Sequence, residues 1–274
     1  LSTSISNITS GTDETVDAAF STPAIVDAVA RMSHHATTPE AVQWLSTSIS
    51  SITSATDATV KALFATPAIV DAVARMSHHA TTPEAVRWIS ISICNITAGT
   101  DATVKALFAT PAIVDAVARM SHHATTPEAV RSISGSISNI TGGSYTTVEA
   151  AFATPAIVDA VARMSHHATT PDAAQWLSTS ISSITNGFDA TVKAMFATPA
   201  IVDAVARMSS RCFPKFGDGG ASALLLQIVA TNLMKNFGDV VPYRVNHRKS
   251  IQTVSGSLQA RGAELITTQA PLPS

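Results

Sequence analysis

Charge is scarce in this chain of 274 residues, with Asp, Glu, Lys and Arg making up 13%, about half the usual share. Clustered cations are lacking too. Residues 1–208 hold 10 Lys and Arg against 16 Asp and Glu, and the remainder holds 7 against 3. A mildly acidic body with a mildly basic tail offers no single-signed face to a polyanion. Neither nucleic acid nor an anionic membrane surface is therefore expected as a partner. Only two cysteines occur, Cys94 and Cys212, which excludes a disulfide framework and a Cys-x-x-Cys pair and suits a reducing compartment. Cys94 reads as a small buried residue. No apolar run approaches the ~20 residues that span a bilayer, and no signal-peptide pattern opens the chain. The expected setting is intracellular and cytoplasmic, although a chain that starts at Leu1 without methionine leaves a targeting segment ahead of it open. Aromatics are few, at 5%, yet 46% of residues are hydrophobic, enough to fill a core. The surface left over is mostly hydroxyl and methyl.

What the sequence has in abundance is itself. The stretch TPAIVDAVARM recurs with its proline at Pro23, Pro67, Pro111, Pro155 and Pro199, a constant spacing of 44 residues. A second landmark keeps the same period at Trp44, Trp88 and Trp176, with Ser132 in the remaining slot. Five near-identical copies cover residues 1–208, the first of them incomplete at the N-terminus.

Each copy predicts three helices. DATVKALFA (57–65) follows Thr56, a good N-cap, and is too short to stand alone. TPAIVDAVARM starts with Thr66 as cap and Pro67 at the first helical position, where the missing N–H costs nothing. TPEAVQWLSTSISSIT repeats the Thr-Pro start at Thr38–Pro39, and Thr37 with Glu40 has capping-box spacing. Gly11, Gly99 and Gly187 are placed to end this third helix in a left-handed residue. Val42, Leu45, Ile49 and Ile52, and likewise Ile69, Val73 and Met76, recur at helical spacing. The Pro-capped start and the length outweigh the strand-like alternation within STSISSIT. One copy cannot bury its stripes alone, so the copies must stack into a continuous core.

This order of short helix, Pro-led helix and longer helix, carried by NITAGTDATVKALFATPAIVDAVARM, resembles the armadillo repeat; the related two-helix HEAT repeat is the nearest alternative, and DATVKALFA fits the extra short helix of the armadillo unit. The resemblance covers residues 1–208 and implies an all-α fold, a right-handed α-solenoid of about five 44-residue repeats. It also implies a concave groove lined by the third helices that takes an extended peptide or a protein, with asparagines bonding the peptide backbone. The matching asparagines are Asn7, Asn95 and Asn139, interrupted by Ser51 and Ser183. Trp88 lies seven residues before Asn95, whereas in peptide-binding members of the family the interval is one turn. Trp88, Ser92 and Asn95 still share a helix face. The thin acidic complement argues against a reader of basic localisation signals.

The candidate binding face is therefore Trp44, Trp88 and Trp176 with Ser48, Ser92, Asn95 and Asn139. The tryptophans fall off the apolar stripe, where they act either as docking anchors or as packing between copies. The histidine pairs His34/His35, His78/His79, His122/His123 and His166/His167 are the only ligand-like groups in number. Packed helices lie ~8–10 Å apart, whereas two nitrogens on one zinc lie within ~3–3.5 Å. Copies cannot share a metal at that spacing, so the pairs read as polar turns and no cofactor is expected. Asp27/Arg31 and their counterparts Asp71/Arg75, Asp115/Arg119, Asp159/Arg163 and Asp203/Arg207 have the i, i+4 spacing of solvated ion pairs that also tie copies together. Asn-Ile-Thr at Asn7, Asn95 and Asn139 matches a glycosylation sequon, but each lies at the end of a packed helix. A triad needs one unique nucleophile, and no phosphate-binding glycine loop is present, so no enzyme is expected.

After Met208 the period fails. Residues 209–240 include ASALLLQIVATNLMKNFGD, a candidate C-terminal capping helix, and 241–274 read as a flexible tail. A reading-frame or exon-boundary break accounts for the change equally well. The expected function is a non-catalytic scaffold that binds a peptide or protein. The rival is a structural role, as an assembly or spacer segment of a larger repetitive protein, and an enzyme whose catalytic domain lies elsewhere is a third.

Overall fold

The structure, a computed structural model, describes residues 20, 22–54, 58–100, 102–143, 146–186 and 190–212. It is all-α, with thirteen helices and no strand among the described residues. In chain order these are α1 (Pro23–Met32), α2 (Pro39–Thr53), α3 (Ala58–Phe64), α4 (Pro67–Met76), α5 (Pro83–Thr97), α6 (Ala102–Phe108) and α7 (Pro111–Met120). They continue with α8 (Pro127–Thr141), α9 (Thr146–Phe152), α10 (Pro155–Met164), α11 (Pro171–Thr185), α12 (Ala190–Phe196) and α13 (Pro199–Cys212). The strand-like alternation of STSISSIT lies wholly within α2 and α11.

Local chemistry sets the boundaries. Thr66 is extended, as a residue before proline must be, and its hydroxyl accepts from the Ile69 N–H at 3.3 Å. Thr38 and Thr82 cap α2 and α5 in the same way, accepting from Ala41 (3.2 Å) and Ala85 (3.3 Å). The capping residue is thus Thr38 rather than Thr37, so the Thr37/Glu40 spacing does not form the expected capping box. Proline fixes the first helical position at 39, and the cap must directly precede it. Gly99 does adopt a left-handed φ of 69° after α5, while Gly11 and Gly187 lie outside the described residues.

The long helices α2, α5, α8 and α11 pack one against the next, and α1, α4, α7, α10 and α13 do the same. The short helices wedge between these rows through a fully buried phenylalanine, Phe64, Phe108, Phe152 or Phe196. Val42, Leu45, Ile49 and Ile52 of α2 and Ile69, Val73 and Met76 of α4 are buried in the same core, as their spacing requires. Where Ser209–Cys212 replaces the Ser-His-His-Ala of earlier copies, α13 runs on through Cys212 instead of turning. The proposed cap and tail beyond lie outside the described residues.

Candidate functional site

Begin at the long helices, since they carry every candidate anchor. Trp44 on α2 is 41% exposed, the one large hydrophobic side chain so exposed among the described residues. Trp88 on α5 and Trp176 on α11, at the same place in the period, are partly buried. Each has an arginine over its ring: Arg87 lies 5.3 Å from the Trp88 centroid and Arg131 lies 5.8 Å from that of Trp176. Such a cation holds a half-exposed ring by its negative face. Arg131 also pairs through Nε with Asp172 at 2.5 Å, between side chains 50% and 58% exposed. A pair so open to water contributes roughly 0–1 kcal/mol. Trp176 lies alongside Gly135 of α8, where an added Cβ would meet the indole and Cys94 Sγ in ordinary van der Waals contact at 3.8 Å. Sequence reasoning missed these arginines, although the adjacency of Arg87 and Trp88 was a usable signal.

The serines behave otherwise. Ser48 and Ser92, expected on the binding face, are 0% and 1% exposed. Ser92 Oγ lies 2.7 Å from the Ser46 carbonyl oxygen of the preceding long helix and 3.0 Å from that of Trp88. Ser48 Oγ lies 3.0 Å from the Trp44 carbonyl oxygen. They cannot meet a ligand, because both are buried within the packed helices. Short hydroxyl side chains let parallel rows approach closely, since interaxial distance follows the size of the contacting side chains.

The asparagines are rivets of the same seam. Asn95 Nδ2 donates to the carbonyl and the hydroxyl of Ser50, both at 3.1 Å. Asn139 Nδ2 donates to the Cys94 carbonyl at 3.2 Å and lies 3.0 Å from its Sγ. Their amide donors thus serve neighbouring helices, leaving the side-chain oxygen as the group free to accept. A glycan, which attaches at that nitrogen, would have to break these bonds. Cys94 is partly rather than fully buried. Burial pushes its thiol up in pKa, with Arg131 and Lys61 opposing.

The histidine pairs form the turn after each Pro-led helix. In the second copy the N–H groups of His78 and His79 fold back on the carbonyls of Arg75 (3.2 Å) and Met76 (2.9 Å). His34, His35, His78, His122 and His166 are exposed, and His79, His123 and His167 are partly buried. Burial, then the arginine of the following copy, Arg119 or Arg163, then the adjacent histidine hold His78 and His122 below the ordinary imidazole value. Among the described residues no group of three or more His, Cys, Asp or Glu side chains is placed to hold a metal ion.

Those arginines correct another expectation. Arg75 donates to Ser33 Oγ at 3.1 Å and to the backbone carbonyl of Asp71, not to its carboxylate. Arg119, Arg163 and Arg207 likewise reach Ser77, Ser121 and Ser165 of the copy before. Asp71/Arg75, Asp115/Arg119 and Asp159/Arg163 are therefore not ion pairs. Each buried serine caps its own helix, where it accepts the guanidinium of the next copy, so the tie between copies runs through a hydroxyl. No helix among the described residues is long and apolar enough to cross a membrane.

No protein-family model and no curated protein sequence matches the chain.

Proposed function

We propose that the chain is an armadillo-like right-handed α-solenoid acting as a non-catalytic intracellular scaffold, with the long helices forming its concave face and binding a protein or extended peptide. The observation that carries the reading is Trp44, a large aromatic left exposed at the place in the period that Trp88 and Trp176 also take on α5 and α11, with Ser132 in that place on α8. Partly exposed tryptophans, two of them with an arginine over the ring, have the composition of binding hot spots. The docking set is Trp44, Trp88, Trp176, Arg87 and Arg131, because the serines and the asparagine donors serve the seam between helices.

The test selects peptides from a displayed random library and follows their binding by tryptophan fluorescence. Trp44→Ala combined with Trp88→Ala is expected to weaken the selected peptides by about 30-fold or more, the loss of a typical hot spot, while helicity and melting stay unchanged. Unaltered affinity in a folded double variant would remove the reading. Concentration-dependent assembly in sedimentation that survives this variant would favour the structural role instead.

A further inference from the structure

The 44-residue period gives Glu149 four counterparts, Asp17, Lys61, Lys105 and Lys193. Lys61 Nζ donates to the carbonyl of Ala98 at 3.1 Å, just past the end of α5, and Lys105 donates to that of Gly142, just past α8. An ammonium in this place meets the negative end of a helix dipole. Glu149 holds the same position of the period ahead of α11, whose C-cap is Asn186. The charge at this position is reversed, and the caps differ as well. Ala98 and Gly142 are extended (φ −69°, ψ 122° and φ −69°, ψ 129°), whereas Asn186 stays in the right-handed helical region (φ −70°, ψ −23°).

Despite the reversal, Glu149 is 1% exposed, and its buried Oε1 has no hydrogen-bond partner. Helix α9 packs against α6, α7, α8 and α11. The charged groups on those elements are Lys105; Asp115 and Arg119; Glu128 and Arg131; and Asp172. Lys105 is engaged with Gly142, Arg119 with Ser77, and Arg131 with Asp172. Burial alone raises the Glu149 carboxyl above the usual carboxylate range. A neutral carboxylic acid tolerates such a place far better than an unpaired anion, which gains by moving into water.

We infer that Glu149 makes the docking of α9 a pH-sensitive latch: protonated, it lets α9 lie against α11, and ionised, it favours release of α9 and exposure of Val148 and Phe152. The inference does not rest on what the tryptophan face binds. The sign follows from linkage. A carboxyl raised in the docked state gives its full contribution below the usual carboxylate range, and that contribution is lost as pH rises through the raised value.

Hydrogen exchange of the whole chain, read by mass spectrometry at about pH 4 and about pH 8 and corrected for intrinsic rates, tests the latch. The α9 amides are expected to lose protection at the higher pH, about tenfold for each unit by which the carboxyl is raised. Helices α6 and α12, with Lys105 and Lys193, serve as internal controls and keep theirs. Glu149→Gln should abolish the difference. Should that variant fail to fold, Glu149→Lys supplies the amine found at positions 61 and 105 and should likewise give a pH-independent α9. Equal pH responses in α9 and α6, or a folded variant that keeps the original response, would overturn the inference.

Discussion

Asn95 and Trp88 sit on one helix, seven residues apart, yet they do different work. The amide of Asn95 holds α5 to α2 through Ser50, while the indole of Trp88 remains partly open beneath Arg87. Removing the amide leaves a partly buried carbonyl and hydroxyl without their donor, a loss of about 1–3 kcal/mol. Asn95→Ala is therefore expected to lower stability by that amount in chemical denaturation while leaving peptide affinity at the tryptophan face unchanged. A loss of affinity without a loss of stability would return Asn95 to the binding set. The sequence could not separate the two roles. A face that holds Trp88, Ser92 and Asn95 is visible in the helical spacing, but which part of it the neighbouring helix covers depends on where two rods touch. Ser48 and Ser92 went astray for that reason. Small hydroxyl residues look like surface in a sequence, and they are equally what a close helix contact needs.

At the scale of the element much more was legible. The Thr-Pro starts located the Pro-led and long helices, because proline fixes one dihedral and forces an extended residue before it. The chemistry still varies between identical sequences. Thr66 accepts from the Ile69 N–H, whereas Thr22, in the same Thr-Pro-Ala-Ile-Val context, makes no side-chain cap bond. Thr66→Ala is thus expected to cost about 1 kcal/mol, and Thr22→Ala much less, a contrast that thermal melts of the two variants would resolve. Equal losses would mean that the threonines act through their extended backbone alone. The turn after each Pro-led helix was legible as a turn, but the arginine-to-serine tie that crosses it was not. Asp71 and Arg75 have a familiar intrahelical spacing, and only packing reveals that Ser33 lies nearer to the guanidinium than the carboxylate does.

Across the whole molecule, ties repeat because the period repeats, and this makes the chain open to excision. Removing residues 67–110 joins Thr66 to Pro111 and keeps the Thr-Pro start intact. Arg119 would then meet Ser33, as Arg75 does now, and Lys61 would meet Gly142, as Lys105 does now. Helix α8 would take the place of α5 against α2, with Ile133, Ile137 and Ile140 standing where Ile89, Ile93 and Ile96 stand. If each unit is held by its neighbours alone, stability is a sum of unit and interface contributions. The shortened chain should therefore keep its helicity per residue. Its denaturant dependence should fall by about a fifth, in proportion to the surface no longer exposed on unfolding. A broad transition or loss of helicity on excision would instead mean that contacts beyond the nearest copy hold the array.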